Sequence, residues 1–248
     1  MLGAREDFVR QMRRQSSWLE ESLLWILDTR VLSRMPGTGT VTALDVGCGP
    51  GSTVQIMRRR MEVKGVDIDP EMVEECRSLG IDASVAPGER LPFGDGSFDF
   101  VYCTFLLLWV KDPVKIVSEM RRVSRHWVAC LAEPDFGGRI SHPKELAALD
   151  EAVIEGIRRD GGDPLMGRKL REVFAGCGME PEIGLHPGVW GIDRLREESA
   201  DEWRWADMTV EGGTHKAGLE TARRAWDTAL RDGKLFQFNP IFYALAEK

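Results

Sequence analysis

The stretch "ALDVGCGPGS", Ala43 to Ser52, joins a short apolar run to three glycines, Gly47, Gly49 and Gly51. This pattern is typical of a buried β-strand that ends in a turn where the backbone passes close to a ligand. A Walker P-loop is excluded because no Gly-Lys-Ser/Thr follows the glycines. A dinucleotide-binding G-x-G-x-x-G is a weak match, because the third glycine comes one position early and Ser52 takes its place.

Apolar runs and amphipathic stretches alternate on both sides of this loop, as in a parallel sheet covered by helices on both faces. Strands are predicted at 41–46, 62–68, 82–86, 98–105, 127–133, 180–186 and 238–248. Helices are predicted at about 52–60, 70–79, 113–124, 143–159, 167–176 and 219–231. The chain is therefore predicted to be a doubly wound α/β protein with a seven-stranded, mostly parallel sheet.

We expect one domain with two additions to this sheet. Residues 1–38 form an N-terminal helical cap, since apolar residues recur at helical spacing from Trp18 to Val31. Residues 39–186 form the Rossmann-like core, and residues 237–248 form the last strand. Between them, residues 187–236 are an insertion between strands six and seven that carries Trp190, Trp203, Trp205 and Trp226.

Composition narrows the class of protein. The 248 residues are 43% hydrophobic and 29% charged with a formal net charge of −7, which does not fit a general nucleic-acid binder. The five cysteines lie at least 27 positions apart, so free thiols are expected and no metal site is predicted. The N-terminus does not resemble a signal peptide, and the longest nearly apolar run, Phe100 to Val110, is too short to span a bilayer. A cytoplasmic location is expected.

Three segments together resemble the class I S-adenosylmethionine-dependent methyltransferases. They are "LDVGCGPG" (44–51), "VKGVDIDPEMVEECR" (63–77) and "GERLPFGDGSFDFVYCTFLLLWVKDP" (88–113). The resemblance implies a Rossmann-like fold whose seventh strand is antiparallel. It also implies S-adenosyl-L-methionine as the cofactor and S-adenosyl-L-homocysteine as its product. This cofactor has no phosphate, which agrees with the absence of a P-loop lysine.

The resemblance also implies which residues hold the cofactor. Gly47 and Gly49 bring the backbone close to the methionyl portion, whose charged groups Asp45 can meet, and Asp67 is placed to accept bonds from both ribose hydroxyls. A structural aspartate is the alternative at Asp67. The family's usual adenine-binding aspartate is Pro87 here, which leaves the role to Gly88 or Glu89. The other expected contacts are Gly51, Ile68, Thr104 and Phe105.

Catalytic candidates lie after strand five, in "AEPDFGGRISHP" (132–143). Asp135 and His142 could serve as a general base. Asp135 is equally consistent with a structural role in a turn, because glycines follow it closely. The residues expected to contact the acceptor are Trp18, Trp109, His186 and Trp190. A surface position is the favoured alternative for His186, and a small satellite core is favoured for Trp203 and Trp205.

Methyl transfer to a small, apolar or aromatic acceptor is the leading functional prediction, since an enclosed, partly apolar pocket favours a small molecule. A methyltransferase acting on RNA or protein is one alternative. The acidic balance argues against RNA, and "TFLLLW" (104–109) replaces the motif of enzymes that methylate amino groups on macromolecules. A second alternative is an S-adenosylmethionine-binding regulator without turnover. No membrane partner is expected.

Overall fold

The computed structural model describes residues 2–37, 39–210 and 216–248. Its strands are β1 (Thr42–Val46), β2 (Glu62–Asp67), β3 (Asp82–Val85), β4 (Phe98–Thr104), β5 (Ser124–Pro134), β6 (Ile140–His142), β7 (Glu182–Leu185), β8 (Phe236–Phe238) and β9 (Ile241–Glu247). Its α-helices are α1 (Leu2–Ile26), α2 (Ser52–Met57), α3 (Pro70–Ser78), α4 (Pro113–Val123), α5 (Ala147–Arg159), α6 (Met166–Gly176), α7 (Ile192–Val210) and α8 (Lys216–Arg231).

Seven of the strands form one sheet in the order β3-β2-β1-β4-β5-β9-β7. The pairs from β3 to β5 are parallel, whereas β9 runs antiparallel to both β5 and β7. The predicted fold class and the antiparallel last strand are confirmed. The strand order reverses at β1: the chain proceeds outward from β1 to β3 and then returns to place β4 on the other side of β1. The carboxyl ends of β1 and β4 therefore flank the crevice in which such folds bind ligands.

Local sequence signals explain why helices begin where they do. Asp69 and Asp112 each accept a hydrogen bond from a backbone N–H in the first turn of the helix that follows, and Pro70 and Pro113 occupy the first helical position. A proline loses nothing there, because that N–H has no partner within the helix. Helix α3 therefore begins directly after the carboxyl end of β2, and α4 begins after the short turn that follows β4.

The N-terminal cap packs on one face of the sheet. Leu23, Ile26 and Leu27 are buried beside Phe100 and Tyr102 of β4. After α1, the chain continues through a π-helical turn (Leu27–Val31) and a 3₁₀ turn (Leu32–Arg34) before it enters β1. The carboxyl-terminal half of α1 is therefore anchored in the core, and its amino-terminal half extends over the crevice.

The insertion holds two helices, α7 and α8, of which only the second was predicted. The sequence of α7, "IDRLREESADEWRWADMTV", is rich in charged residues, and its few apolar positions gave too weak a periodic signal. A second, two-stranded sheet of β6 and β8 was also not predicted. Its strands are three residues each and lie about ninety-five positions apart along the chain.

Two general findings complete the fold. Within the described ranges, no helix is both long enough and apolar enough to cross a membrane. All five cysteines are free thiols in buried positions.

Candidate cofactor and acceptor site

The loop after β1 needs glycine for conformational reasons. Gly47, Gly49 and Gly51 have φ values of +74°, +52° and +81°, which side-chain-bearing residues rarely adopt. The backbone N–H groups of Gly47 and Cys48 donate to the carbonyl of Val66 at 2.8 and 2.9 Å, which ties the loop to β2. The loop backbone also lies close to α1, since a Cβ on Gly49 would lie 2.6 Å from the Cε atom of Met12. This geometry is consistent with the prediction that a side chain at this position would fill the space beside the loop.

A cavity lies between this loop and α1, and we call it the loop cavity. Its described lining residues are Met12, Gln15, Ser16, Asp45, Gly47, Cys48, Pro50, Ser52, Thr53, Thr104 and Phe105. Four of them, Asp45, Gly47, Thr104 and Phe105, were predicted as cofactor contacts. The three residues from α1 were not predicted.

Polar groups without partners line the loop cavity. Both carboxylate oxygens of Asp45, the Oγ of Ser52 and the Oγ1 of Thr104 are buried and have no hydrogen-bond partner among the described residues. Burial raises the pKa of Asp45 well above its usual range. Such groups are costly unless a ligand supplies donors, and an ammonium group is the ligand that best stabilises an ionised carboxyl. The cavity therefore fits the amino-acid portion of S-adenosylmethionine.

Asp67 stands at the carboxyl end of β2 and organises the loop. Its carboxylate accepts hydrogen bonds from the backbone N–H of Gly49 at 2.8 Å and of Asp69 at 2.9 Å. Beside it, the side chain of Ile68 is 71% exposed and accessible to a ligand. These features leave a carboxylate and an apolar side chain at one open edge next to the loop cavity.

The turn after β3 lies at the same edge. The N–H of Ala86 donates to the carbonyl of Asp67 at 2.9 Å, so residues 86–89 run beside the end of β2. A Cβ on Gly88 would lie 2.8 Å from Ile116 and 3.3 Å from Val46, which puts the Gly88 backbone against the end of β1. Pro87 is exposed, and Glu89 is half-buried. Ile68, Gly88 and Glu89 are thus grouped near Asp67, as adenine and ribose contacts would require.

A strained residue separates the loop cavity from a second, larger cavity. Phe105 follows β4 with a φ of +54°, a conformation that costs a non-glycine residue about 1–2 kcal/mol. Its N–H donates to the carbonyl of Ala132 at 2.8 Å, which holds the turn in place. Phe105 and Gln15 line both cavities. Strain of this kind is concentrated at functional sites.

We call the second space the aromatic cavity. Two aromatic pairs line it: Trp18 and Trp190, with ring centroids 4.8 Å apart, and Phe136 and Trp205, stacked at 5.8 Å. Its polar lining residues are Gln11, Gln15, Asp135, Arg139, Glu202 and Asn239. Helices α1 and α7 and the segments after β5 and β7 thus meet around a mostly apolar space, with five aromatic side chains, at the carboxyl edge of the sheet.

The two predicted catalytic residues have different surroundings. Asp135 is 3% exposed and lines the aromatic cavity. Its two oxygens accept from the Nε and Nη2 of Arg168 at 2.5 and 2.7 Å. His142 is exposed at the end of β6 and is not among the described residues that line the cavity. The structure thus brings Asp135, but not His142, to the aromatic cavity.

His186 is buried, so the expectation of a surface position is wrong. Its Nε2 lies 2.7 Å from the carbonyl of Leu131 and therefore donates to it, and its Nδ1 accepts from the Ser22 hydroxyl at 2.8 Å. Burial lowers the pKa of His186, which keeps the ring neutral. Because both nitrogens are engaged, His186 joins α1 to the sheet and has no free nitrogen for a substrate.

The positions of the tryptophans agree with the prediction only in part. Trp18 and Trp190 line the aromatic cavity, as expected for acceptor contacts. Trp109 is 46% exposed and is not among the cavity's described lining residues. Trp203 packs in the core against Trp226, whereas Trp205 lines the cavity rather than a satellite core.

Sequence reasoning missed Met12, Gln15, Arg139 and Glu202 as lining residues. Gln15 and Glu202 come from helices, and no local sequence pattern shows how a helix is oriented over the sheet. Arg139 follows the turn Phe136–Gly138, whose two glycines allow many backbone conformations, so its direction could not be predicted from the sequence. The charge density of α7 was visible in the sequence, but not the direction in which Glu202 points.

Comparison with known proteins agrees with this geometry. A family model described as a methyltransferase domain matches residues 44–128. The chain is 34% identical over 188 residues to a ubiquinone/menaquinone biosynthesis C-methyltransferase of Desulfotalea psychrophila, an alignment that covers 63% of this chain and 74% of that protein. The enzyme of the same name from Geobacter sp. (strain M21) is 38% identical over 161 residues, covering 53% of this chain and 65% of the relative.

A solved structure shares the fold. The geranyl diphosphate C-methyltransferase from Streptomyces coelicolor A3(2), determined with Mg²⁺, geranyl diphosphate and S-adenosyl-L-homocysteine, superposes with a TM-score of 0.54 at 17% identity, covering 96% of this chain and 81% of that one. The chain spans less than two thirds of the length of several curated relatives that it matches.

The glycine loop and Asp67 lie within the matched methyltransferase segment, and the overall fold is similar to that of the solved structure. The chain therefore belongs to the class I S-adenosylmethionine-dependent methyltransferases, an enzyme family whose cofactor is S-adenosyl-L-methionine.

Proposed function

We propose that this chain transfers a methyl group from S-adenosylmethionine to a small aromatic acceptor bound in the aromatic cavity. The observation that carries the proposal is the wall shared by the two cavities, which consists of Phe105 and Gln15. The two cavities adjoin at these residues, so a cofactor in the loop cavity would lie next to an acceptor in the aromatic cavity. The bound cofactor supplies a methyl group already activated by its sulfonium centre.

Residues of this chain would hold the cofactor at three points. Asp45 would meet the ammonium group, and Asp67 would accept from the ribose hydroxyls. Ile68, Gly88 and Glu89 would contact the adenine. The unpartnered oxygens of Asp45 support this assignment.

Alignment and exclusion of water are the main tasks left to the protein, because in-line displacement needs the two reacting atoms close and collinear. Helix α1 lines both cavities, helix α7 lines the aromatic cavity, and ion pairs join the two helices. Arg14 contacts Glu198 at 2.6 Å and Glu202 at 3.2 Å, and Arg10 contacts Asp201 at 2.9 Å. These contacts keep the covering helices together over the reacting groups.

Asp135 is the proposed proton acceptor for an acceptor molecule that loses a proton on methylation. It lines the cavity and its carboxylate is oriented by Arg168. The names of the two C-methyltransferase relatives favour a carbon atom as the methylated position.

The test uses S-adenosylmethionine labelled in its methyl group, with fractionated cell extract as the source of acceptors. We expect label in a small aromatic product and release of S-adenosylhomocysteine. Trp205→Ala should reduce turnover about tenfold or more by loss of a cavity wall, while S-adenosylhomocysteine affinity stays unchanged. Trp109→Ala is the matched control, since Trp109 is an exposed tryptophan and should have no effect.

Three outcomes would contradict the proposal. Label in RNA or protein would support a macromolecular acceptor, and cofactor binding without turnover would support a regulator. Equal losses in Trp205→Ala and Trp109→Ala would show that the aromatic cavity does not hold the acceptor.

A further inference from the structure

Two buried ions of opposite charge face each other in the lining of the aromatic cavity. The side chain of Arg139 is 4% exposed and that of Glu202 is 10% exposed. The Nη2 of Arg139 and the Oε2 of Glu202 are 3.9 Å apart, which is too long for a hydrogen bond. A polar atom placed beside the pair can hydrogen-bond to both groups at once, although no atom fits directly between them.

Each ion also has other partners. The Nε of Arg139 lies 3.1 Å from Asp150, and the amide oxygen of Gln237 accepts from Nε and from Nη2, the nitrogen that also faces Glu202. The Oε1 of Glu202 accepts from Arg14 at 3.2 Å. Both ions are thus fixed in position by their outer partners, and neither requires a counter-ion from a ligand.

This arrangement opposes charged ligands. A carboxylate beside this pair would be attracted by Arg139 and repelled by Glu202, whereas an ammonium group would be repelled by Arg139 and attracted by Glu202. Either charged ligand would lose its hydration in a buried site and would not gain a net opposite charge in return. A neutral hydroxyl can instead accept from the guanidinium and donate to the carboxylate, so it satisfies both groups at low desolvation cost.

We propose, resting on the function proposed above, that Arg139 and Glu202 select an uncharged aromatic acceptor bearing a hydroxyl group. The ring lies between the Trp18–Trp190 and Phe136–Trp205 pairs, which provide π-faces and edges for a flat molecule. The hydroxyl lies beside the ion pair, within hydrogen-bond distance of both the Nη2 of Arg139 and the Oε2 of Glu202. This pair distinguishes ligands by charge, while the aromatic pairs distinguish them by shape.

The experiment measures binding of four probes with the same ring system by isothermal titration calorimetry, with and without S-adenosylhomocysteine. The probes are 2-naphthol, naphthalene, 2-naphthoate and 2-naphthylmethylammonium. We expect 2-naphthol to bind at least about tenfold more tightly than the other three, the effect of hydrogen bonds to charged groups.

Two variants test the named residues. Glu202→Gln should reduce the preference for 2-naphthol over 2-naphthoate about tenfold, because the repelling charge is removed, and Arg139→Gln should do the same for 2-naphthylmethylammonium. Glu197→Gln is the control, since Glu197 is exposed on the same helix, α7, and should change no preference. Retained S-adenosylhomocysteine binding shows that each variant is folded.

Several results would overturn the proposal. Tighter binding of 2-naphthoate or of the ammonium probe to the wild-type protein would show that one ion alone determines selection. Failure of all four probes to bind, with S-adenosylhomocysteine still bound, would show that the cavity takes no hydroxylated ring. Loss of S-adenosylhomocysteine binding by the wild-type protein is a different result, because it would overturn the proposed function itself.

Discussion

Gly49→Ala tests whether the cofactor lies against the glycine loop. Gly49 has a φ of +52°, and a Cβ there would lie 2.6 Å from the Cε atom and 3.5 Å from the Sδ atom of Met12. The substitution therefore has two separable effects. It strains the backbone, and it places a methyl group in the space between the loop and α1.

The backbone effect can be measured alone at Gly233. This glycine has a φ of +68°, and no described atom lies within 4 Å of an added Cβ. Gly49→Ala and Gly233→Ala should each lower the free energy of unfolding by about 1–2 kcal/mol, the cost of the left-handed conformation for a residue with a side chain. Met12 adds little to the cost at Gly49, because the contact is with the end of a flexible side chain.

The effect on the cofactor should differ between the two variants. Overpacking a closely fitted site costs about 1–3 kcal/mol, which corresponds to about 5- to 150-fold weaker binding of S-adenosylhomocysteine by Gly49→Ala. Gly233→Ala should bind it normally. Urea denaturation measures the unfolding free energy, and isothermal titration calorimetry measures the affinity. Normal affinity in Gly49→Ala, or an equal loss in Gly233→Ala, would refute the placement of the cofactor beside Gly49.

Two further predictions concern buried or half-buried carboxyl groups. Asp67→Ala should weaken S-adenosylhomocysteine binding by about 1–3 kcal/mol in calorimetry through lost charge-assisted hydrogen bonds. Asp69→Ala, which removes the cap of α3, should lower only stability, and equal losses of affinity in the two variants would contradict a ribose role for Asp67. Burial raises the pKa of Glu133 from 4.5 to about 8, although it accepts from the N–H groups of Leu107 and Leu108 at 2.6 and 3.2 Å. Between these pKa values the folded state binds more protons than the unfolded state, so this group lowers stability as pH rises. The free energy of unfolding of the wild type, relative to that of Glu133→Gln, should fall by about 4 kcal/mol from pH 5 to pH 8, as urea titrations at several pH values would show. A difference that does not change with pH would mean that Glu133 is ionised in the folded protein.

The sequence by itself determined the sheet and the cofactor loop. Strands, helix caps and positive-φ glycines are local features, in which a few neighbouring residues fix the backbone geometry. Asp69 with Pro70 and Asp112 with Pro113 each start a helix from their own side chains. The glycine loop and Asp67 follow directly from the ends of β1 and β2, so their proximity is a consequence of strand pairing alone.

Only the tertiary structure decided how the aromatic cavity is built. Arg139 and Glu202 are more than sixty positions apart, and His186 and Ser22 are 164 positions apart. Nothing in the local sequence distinguishes a surface histidine from one that bridges α1 and the sheet, because its two hydrogen-bond partners come from distant segments. The aromatic cavity exists only where α1, α7 and the segments after β5 and β7 pack together. Its chemistry depends on the relative orientation of those elements, which is set by the burial of their apolar faces and not by the pattern of any one of them.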